Sequence, residues 1–261
     1  MIEQTTRGDS AGGHAGPEGT GAWDEGAAVR FADRADAGRR LARRLGHLAG
    51  QDVVVLGLPR GGVPVAAPVA ASLDAPLDVL VVRKLGVPFR PELALGAIGE
   101  GGALVLDERV ARAVHAGVDV IEGLERRERP LLERATRRYR AVRDLEPVAG
   151  RTVVIVDDGV ATGSTARVAC RVARARGALR VVVAVPTCAR SAVDALRPEA
   201  DELIVLERSP RHRSVADSYD DFTPVSEAEV VAALTHQPAA GSTGDPVDRG
   251  PQTDASAEGA P

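Results

Sequence analysis

The segment VVIVDDGVATGST, which runs from Val153 to Thr165, determines how the rest of this 261-residue chain is interpreted. Four apolar residues, typical of a buried strand, precede two aspartates and a loop that contains Gly159 and Gly163. Glycines let the backbone bend sharply and approach a ligand closely. A helix is expected to begin just after Gly163, and the first N–H groups of a helix lack partners and bind anions. The segment therefore predicts a phosphate-binding turn between a strand and a helix.

The two acidic residues of this segment, Asp157 and Asp158, cannot hold that phosphate, because like charges repel. Ionised carboxylates accept hydrogen bonds, so they match sugar hydroxyls or, through water, a cation. A turn in which Thr162 or Ser164 only caps the helix is the structural alternative, but capping does not require two carboxylates and two glycines. The Walker loop and the GxGxxG fingerprint are not matched, because GVATGST has three residues between its glycines and no lysine.

Apolar, β-branched runs alternate with amphipathic stretches along the rest of the chain. The predicted strands are residues 53–56, 77–82, 152–156, 180–185 and 202–206. The predicted helices lie within residues 29–48, after Gly62, within 118–142 with an interruption at Pro130, after 163 and near 191–196. This alternation requires right-handed crossovers and indicates an α/β fold with a doubly wound, mostly parallel five-stranded sheet. Two apolar runs that flank residues 99–102 add a β-hairpin flap.

Two of the predicted helices have distinctive faces. In the first, Leu41, Leu45 and Leu48 predict a buried stripe, and the arginines are expected on a solvated face. The helix within residues 118–142 carries eight arginines and four glutamates between residues 122 and 143, which predicts an exposed face with ion pairs. Its buried face is expected to consist of Leu132, Ala135, Tyr139 and Val142.

Composition separates one domain from two tails. Residues 1–28 and 237–261 are rich in small and polar residues and are predicted to be disordered, which leaves residues 29–236 as a single domain. The net charge of −4 argues against a dedicated nucleic-acid binder. Cys170 and Cys188 have no neighbouring cysteine or histidine motif, so both are expected to be ordinary buried thiols. The chain shows no secretion signal and no apolar run near the length of a membrane span, so a cytoplasmic location away from membranes is expected.

Three unusual segments follow predicted strands: LPRGG at residues 58–62, the pair Arg83 and Lys84, and the loop of residues 157–165. Because parallel strands present their carboxyl ends at one edge, these segments are expected to converge on one crevice. Lys84 is the only lysine among 33 basic residues, which points to a need for a compact ammonium group. A simple turn for PRGG and a solvated charge pair for Arg83 and Lys84 are the alternatives.

VVIVDDGVATGST resembles the phosphoribosyl pyrophosphate (PRPP) signature of the type I phosphoribosyltransferases. The resemblance implies that Asp157 and Asp158 contact the 2′ and 3′ hydroxyls of the ribose. It also implies a 5′-phosphate site that is formed by Ala161, Thr162, Gly163, Ser164 and Thr165.

The likeness extends over residues 50 to 206. LPRGG is similar to the family's pyrophosphate loop. That loop binds through backbone N–H groups and often contains a strained peptide bond. The resemblance therefore implies that Arg60, Gly61 and Gly62 bind pyrophosphate. Arg83 and Lys84 resemble the basic pair that begins the catalytic flap, with Lys84 as a cation for pyrophosphate. Mg²⁺ is implied as the cofactor, held mainly by the donor's oxygens with help from the two aspartates, directly or through water.

The whole pattern, including DRADAGRRLA, VVRKLGVP and ELALGAIGEGG, is similar to a group of bacterial, largely actinobacterial, phosphoribosyltransferase-like proteins. That group implies the type I fold with a hairpin flap, a small hood, PRPP as donor and a homodimer, but no particular acceptor. The acceptor site would come from Pro186 and Thr187, the first helix and residues 219–222. Where the group has an aromatic-rich stretch, this chain has only Tyr219 and Phe222.

The resulting hypothesis is an enzyme that transfers ribose 5-phosphate from PRPP to a nucleobase-like small molecule and releases pyrophosphate. One alternative is a non-catalytic PRPP or nucleotide sensor whose basic helix, residues 126–143, binds RNA or a partner. Another is a hydrolytic or phosphotransfer enzyme that acts on a phosphorylated sugar.

Overall fold

The computed structural model describes residues 30–87, 90–209 and 214–236, and both predicted tails lie outside these ranges. The described helices are α1 (Arg34–Arg44), α2 (Gly62–Leu73), α3 (Glu108–Ala113), α4 (Val118–Arg140), α5 (Ser164–Ala175), α6 (Arg190–Leu196) and α7 (Glu227–Thr235). The strands are β1 (Val53–Gly57), β2 (Leu77–Val79), β3 (Val82–Val87), β4 (Arg90–Gly99), β5 (Leu104–Leu106), β6 (Thr152–Val156), β7 (Arg180–Ala189) and β8 (Glu202–Ser209). Short 3₁₀ turns occupy Gly46–Leu48, Glu100–Gly102 and Val215–Ser218.

Five strands form a parallel sheet in the order β2-β1-β6-β7-β8, as the alternation of strands and helices predicts. The apolar residues of β1 and β6 are buried because helices cover both faces of the sheet. One core contains residues of α1, α2, α4 and α7, and a second contains residues of α5 and α6. Gly57 of β1 lies in register with Val156 of β6, so the loops that follow these strands leave the sheet side by side.

A separate antiparallel sheet, in the order β3-β4-β5, contains the predicted hairpin around Glu100–Gly102. It also corrects the prediction of one strand over residues 77–82. The chain leaves the parallel sheet after Val79 and enters the second sheet at Val82, so Arg83 and Lys84 lie inside β3 rather than after a strand. A continuous apolar run does not reveal this change of sheet, because apolar residues stand both before and after the break.

Helix α4 differs from the prediction in two ways. It spans 23 residues and continues through Pro130. A single lost backbone hydrogen bond does not end a helix when the residues around the proline favour helical structure. Its buried residues are Leu132, Thr136 and Tyr139, whereas Ala135 and Val142 are exposed. Leu132 and Tyr139 are therefore buried as predicted, and Thr136 is buried in place of Ala135.

The buried stripe predicted for the first helix agrees with the structure, because Leu41, Leu45 and Leu48 are fully buried. The solvated face predicted for its arginines is wrong for Arg34, which is buried. Cys170 and Cys188 are free buried thiols, and burial raises the pKa of both. Within the described ranges, no helix is long and apolar enough to span a membrane.

Two distant parts of the chain meet to form the hood. Phe31, just before α1, forms a β-bridge with Tyr219, and the two rings lie 5.5 Å apart with Ala37 packed against them. This contact places the start of α1 and the segment of residues 214–223 beside the carboxyl edge of the parallel sheet. The small hood predicted from both ends of the chain is therefore present.

Candidate functional site

The acidic pair stands where β6 ends, at the carboxyl edge of the sheet. Asp157 Oδ1 accepts a hydrogen bond from the backbone N–H of Asp158 at 2.9 Å. Burial and the negative charge of Asp158 raise the pKa of Asp157 well above its usual value. Burial also raises the pKa of Asp158, whose side chain is only 15% exposed, although an ion pair with Arg34 opposes that rise. Both carboxyl groups are thus withdrawn from bulk water.

The loop after β1 packs directly against these acids. A Cβ atom built on Gly61 would lie 2.0 Å from Asp158 Oδ2, and one on Gly62 would lie 2.5 Å from the carbonyl oxygen of Val156. Both distances are too short for any side chain, so glycine at these positions permits the contact between the two loops. The peptide bond between Pro59 and Arg60 is cis, and Arg60 itself is exposed. The structure therefore brings Arg60, Gly61 and Gly62 beside Asp157 and Asp158, as the sequence predicts.

The predicted phosphate turn has an open helix start. Gly163 adopts a left-handed conformation, with φ at 75°, and is the residue before the first turn of α5. No side chain caps this helix, and the Ser164 N to Thr162 Oγ1 distance of 3.5 Å is long for a hydrogen bond. Ala161, Thr162 and Thr165 are exposed. The alternative in which Thr162 or Ser164 only caps the helix does not describe this turn, because no side chain caps α5.

Lys84 reaches this turn from the antiparallel sheet. Its Nζ atom lies 2.5 Å from Ser164 Oγ at the start of α5, because β3 packs against that helix. Partial burial lowers the pKa of Lys84 from its usual value. The resemblance places this lysine at pyrophosphate, whereas the structure places it on the predicted 5′-phosphate turn.

Arg83 points to the other side of β3, because successive side chains of a strand face opposite ways. Its Nη2 atom lies 2.7 Å from Glu128 Oε2 of α4. The two members of the predicted basic pair are therefore separated, and Arg83 does not join the acids and the phosphate turn.

Arg34 of α1 is a site residue that motif analysis missed. Its Nε and Nη2 atoms each lie 2.9 Å from Asp158 Oδ2, and its Nη1 atom donates to the carbonyl oxygen of Thr223 at 2.9 Å. The guanidinium carbon lies 3.8 Å from the centroid of the Phe222 ring. The sequence predicts a solvated arginine here, since α1 is rich in arginine, and no local pattern distinguishes Arg34 from the exposed ones.

The hood also supports the backbone of the acidic pair. Tyr219 donates its hydroxyl proton to the carbonyl oxygen of Asp158 at 2.6 Å, and burial raises the pKa of Tyr219. Ser218 Oγ donates to Thr187 Oγ1, and a Cβ on Gly159 would lie 2.8 Å from Thr187 Cγ2. Tyr219, which the sequence resemblance places in the acceptor site, therefore contacts the backbone of Asp158.

The basic helix α4 is extensively ion-paired. Most of its arginines, and Arg143 just after it, contact carboxylates: these are Arg126 with Glu122, Arg127 with Glu128, Arg129 with Glu125, Arg138 with Glu227, Arg140 with Asp78 and Glu100, and Arg143 with Glu146. The predicted face with ion pairs is confirmed. Its positive charge is largely compensated, which does not favour a surface for RNA.

Comparisons with known proteins agree with this geometry. Two proteins of Mycobacterium tuberculosis, from strains CDC 1551 / Oshkosh and ATCC 25618 / H37Rv, are provisionally named phosphoribosyl transferases and are each 54% identical to this chain over 204 residues. The match covers 78% of this chain and 46% of each relative, so the chain spans about half the length of these curated relatives. The crystal structure of TT1426 from Thermus thermophilus is 44% identical, with a TM-score of 0.76 over 81% of this chain and 100% of that chain.

A family model described as the phosphoribosyl transferase domain matches residues 32–220. This range begins before Arg34, contains both sheets, the acidic pair and the phosphate turn, and ends in the hood. The similarity to TT1426 shows that the fold is shared over the full length of that protein. The chain belongs to the phosphoribosyl transferase domain family.

Proposed function

We propose that this protein transfers ribose 5-phosphate from PRPP, with Mg²⁺ as cofactor, to a small nucleobase-like acceptor and releases pyrophosphate. The observation that carries the proposal is the meeting of three kinds of group at one sheet edge: two carboxylates, an uncapped helix start and a glycine backbone. PRPP has hydroxyl groups between a monophosphate and a diphosphate. Hydrogen-bond acceptors flanked by two sets of N–H donors are complementary to that arrangement.

The ribose and its 5′-phosphate would bind between β6 and α5. Asp157 and Asp158 would accept hydrogen bonds from the 2′ and 3′ hydroxyls. The N–H groups of residues 161–165 would bind the phosphate, since a helix start favours negative charge. The contact of Lys84 with Ser164 supports a role for this ammonium group at the same phosphate.

The pyrophosphate would bind at the loop after β1. Gly61 and Gly62 let the backbone lie against the acids, and the exposed Arg60 adds a planar donor group that suits phosphate oxygens. When the bond between C1 and pyrophosphate breaks, positive charge develops on the ribose, as in glycoside cleavage. Arg60 would stabilise the negative charge that develops on the leaving group.

The acidic pair fits a magnesium ion that arrives with its substrate. Among the described residues, no group of three or more His, Cys, Asp or Glu side chains could hold a metal. Mg²⁺ is often bound by one or two carboxylates together with substrate phosphates and water. Asp157 is the better candidate ligand, because Oδ2 of Asp158 is paired with Arg34. When bound, Mg²⁺ would supply positive charge beside the departing pyrophosphate.

The rings in the described part of the chain do not offer an obvious stacking surface for the acceptor. Phe31 and Tyr219 are buried, and the guanidinium of Arg34 covers a face of Phe222. We therefore propose that the acceptor is recognised mainly by polar contacts at the same carboxyl edge of the sheet, beside the loop after β6.

Pyrophosphate release from PRPP tests this function. The protein should release pyrophosphate in the presence of Mg²⁺ and one member of a panel of bases and related amines, and much less without an acceptor. Release that is independent of any acceptor would indicate hydrolysis. Binding of PRPP in calorimetry without release under any condition would indicate a sensor, and absence of binding would refute the proposed donor.

A further inference from the structure

The ion pair between Arg34 and Asp158 is enclosed and links two distant parts of the chain. The Arg34 side chain is 10% exposed and that of Asp158 is 15% exposed. The other arginines of α1 that form ion pairs, Arg39 and Arg40, are 59% and 36% exposed and contact Asp36 on the same helix. Exposed pairs within one helix contribute little to stability. Arg34 is therefore the arginine of this group whose contacts can affect the site.

Arg34 contacts only one of the two carboxylate oxygens of Asp158. Both of its short contacts reach Oδ2, so Oδ1 is not engaged by Arg34. A carboxylate held through one oxygen is fixed in orientation and keeps acceptor capacity on the other. We propose that Arg34 is a positioning residue for the sugar site, which orients Asp158 toward the ribose hydroxyls and connects it to the hood. This inference rests on the proposed function, in which Asp158 contacts the ribose.

The connection to the hood involves both the side chain and the backbone of Asp158. Arg34 donates to the Thr223 carbonyl oxygen and stacks on Phe222, while Tyr219 donates to the Asp158 carbonyl oxygen. The hood and the acid thus share one set of contacts. A ligand that stabilises this orientation of Asp158 also stabilises the hood, because the orientation of Asp158 and the packing of the hood are thermodynamically linked.

Calorimetry of PRPP binding with Mg²⁺ tests the proposal. We expect Arg34→Gln to weaken binding by about tenfold or more, the size of effect typical for a lost hydrogen bond to a charged group. Arg34→Lys, which keeps the positive charge, should restore part of the affinity. Arg39→Gln, a variant of an exposed arginine of the same helix that contacts Asp36, is the matched control and should bind as the wild type does.

Thermal melts of each variant identify loss of folding. A folded Arg34→Gln variant with the affinity of the wild type would overturn the proposal. Equal losses of affinity in Arg34→Gln and Arg34→Lys would also overturn it, because they would indicate a purely structural role. If the wild type and Arg39→Gln also fail to bind PRPP, the proposed function itself is wrong.

Discussion

The two sheets hold their site residues by different means. In the parallel sheet, Asp157 and Asp158 follow β6, which is paired on both sides and buried on both faces. Lys84 extends from β3, an edge strand of the antiparallel sheet, and reaches Ser164 with a long side chain. The parallel sheet therefore sets the position of the acids through its backbone, whereas the antiparallel sheet adds a charge through a flexible stem. The precise position of the acids and the adjustable position of the ammonium charge therefore come from separate sheets.

Buried ions connect these two layers. Arg140, in the last turn of α4, lies 2.9 Å from Asp78 Oδ1 on β2 and 2.7 Å from Glu100 Oε1 in the turn between β4 and β5. Asp78 is fully buried, and Glu100 is nearly so. One arginine thus joins both sheets, and its removal would leave two carboxylates without their partner.

The largest effect is expected from breaking that connection. Arg140→Met should lower the free energy of unfolding by about 3 kcal/mol or more, because removal of one partner leaves buried charges uncompensated. Urea denaturation measures the change. Arg138→Met is the control, since Arg138 is 73% exposed and pairs with the exposed Glu227. Equal stability losses in both variants would mean that the buried ions do not join the layers.

The next effect concerns the acids of the parallel sheet. Asp157→Asn combined with Asp158→Asn should weaken PRPP binding by about 2 kcal/mol or more, the scale of lost hydrogen bonds to charged groups. Calorimetry with Mg²⁺ present measures this. Asp52→Asn is the control, because Asp52 is exposed and precedes β1 at the opposite edge of the sheet. Unchanged affinity in the double variant would show that the acids serve another purpose.

A smaller effect is expected for the charge that the antiparallel sheet supplies. Lys84→Met should weaken PRPP binding by about 1 kcal/mol, since an exposed ammonium contributes less than enclosed groups. Arg83→Met should have less effect on binding, because Arg83 is paired with Glu128 on the other side of β3. A larger loss of affinity for Arg83→Met would favour the role implied by the sequence resemblance over the one that the ion pair indicates.

The smallest effect is a dependence of stability on pH. Burial raises the pKa of Asp157 in the folded protein, so the folded state keeps a proton that the unfolded chain has already released. Stability should therefore fall as the pH rises from the ordinary aspartate range through the raised value. Asp157→Asn removes this contribution, so its melting temperature relative to the wild type should increase with pH in the absence of ligand. A constant difference across this range would contradict the expected ionisation.

The sequence permits a good prediction of the parallel layer. Residues 152–156 form a strand and a helix begins at Ser164, as the apolar run and the glycine turn predict. These signals are local, since a buried strand needs apolar residues and a sharp turn needs glycine. The break between β2 and β3 was missed because an apolar run does not show which sheet its residues enter. The continuous course of α4 was missed because proline weakens a helix without always ending it.

The sequence by itself determined the alternation of strands and helices in the parallel sheet, the turn that could bind a phosphate and the acids beside it, because each depends on residues that are neighbours in the chain. Only the tertiary structure decided which charged residues lie beside the acids and the phosphate turn. Lys84 approaches Ser164 and Arg83 turns away, although the two are adjacent in sequence, because alternate side chains of β3 face different elements. Arg34 reaches Asp158 across 124 positions of the chain, through a contact that exists only when α1, β6 and the hood are packed together.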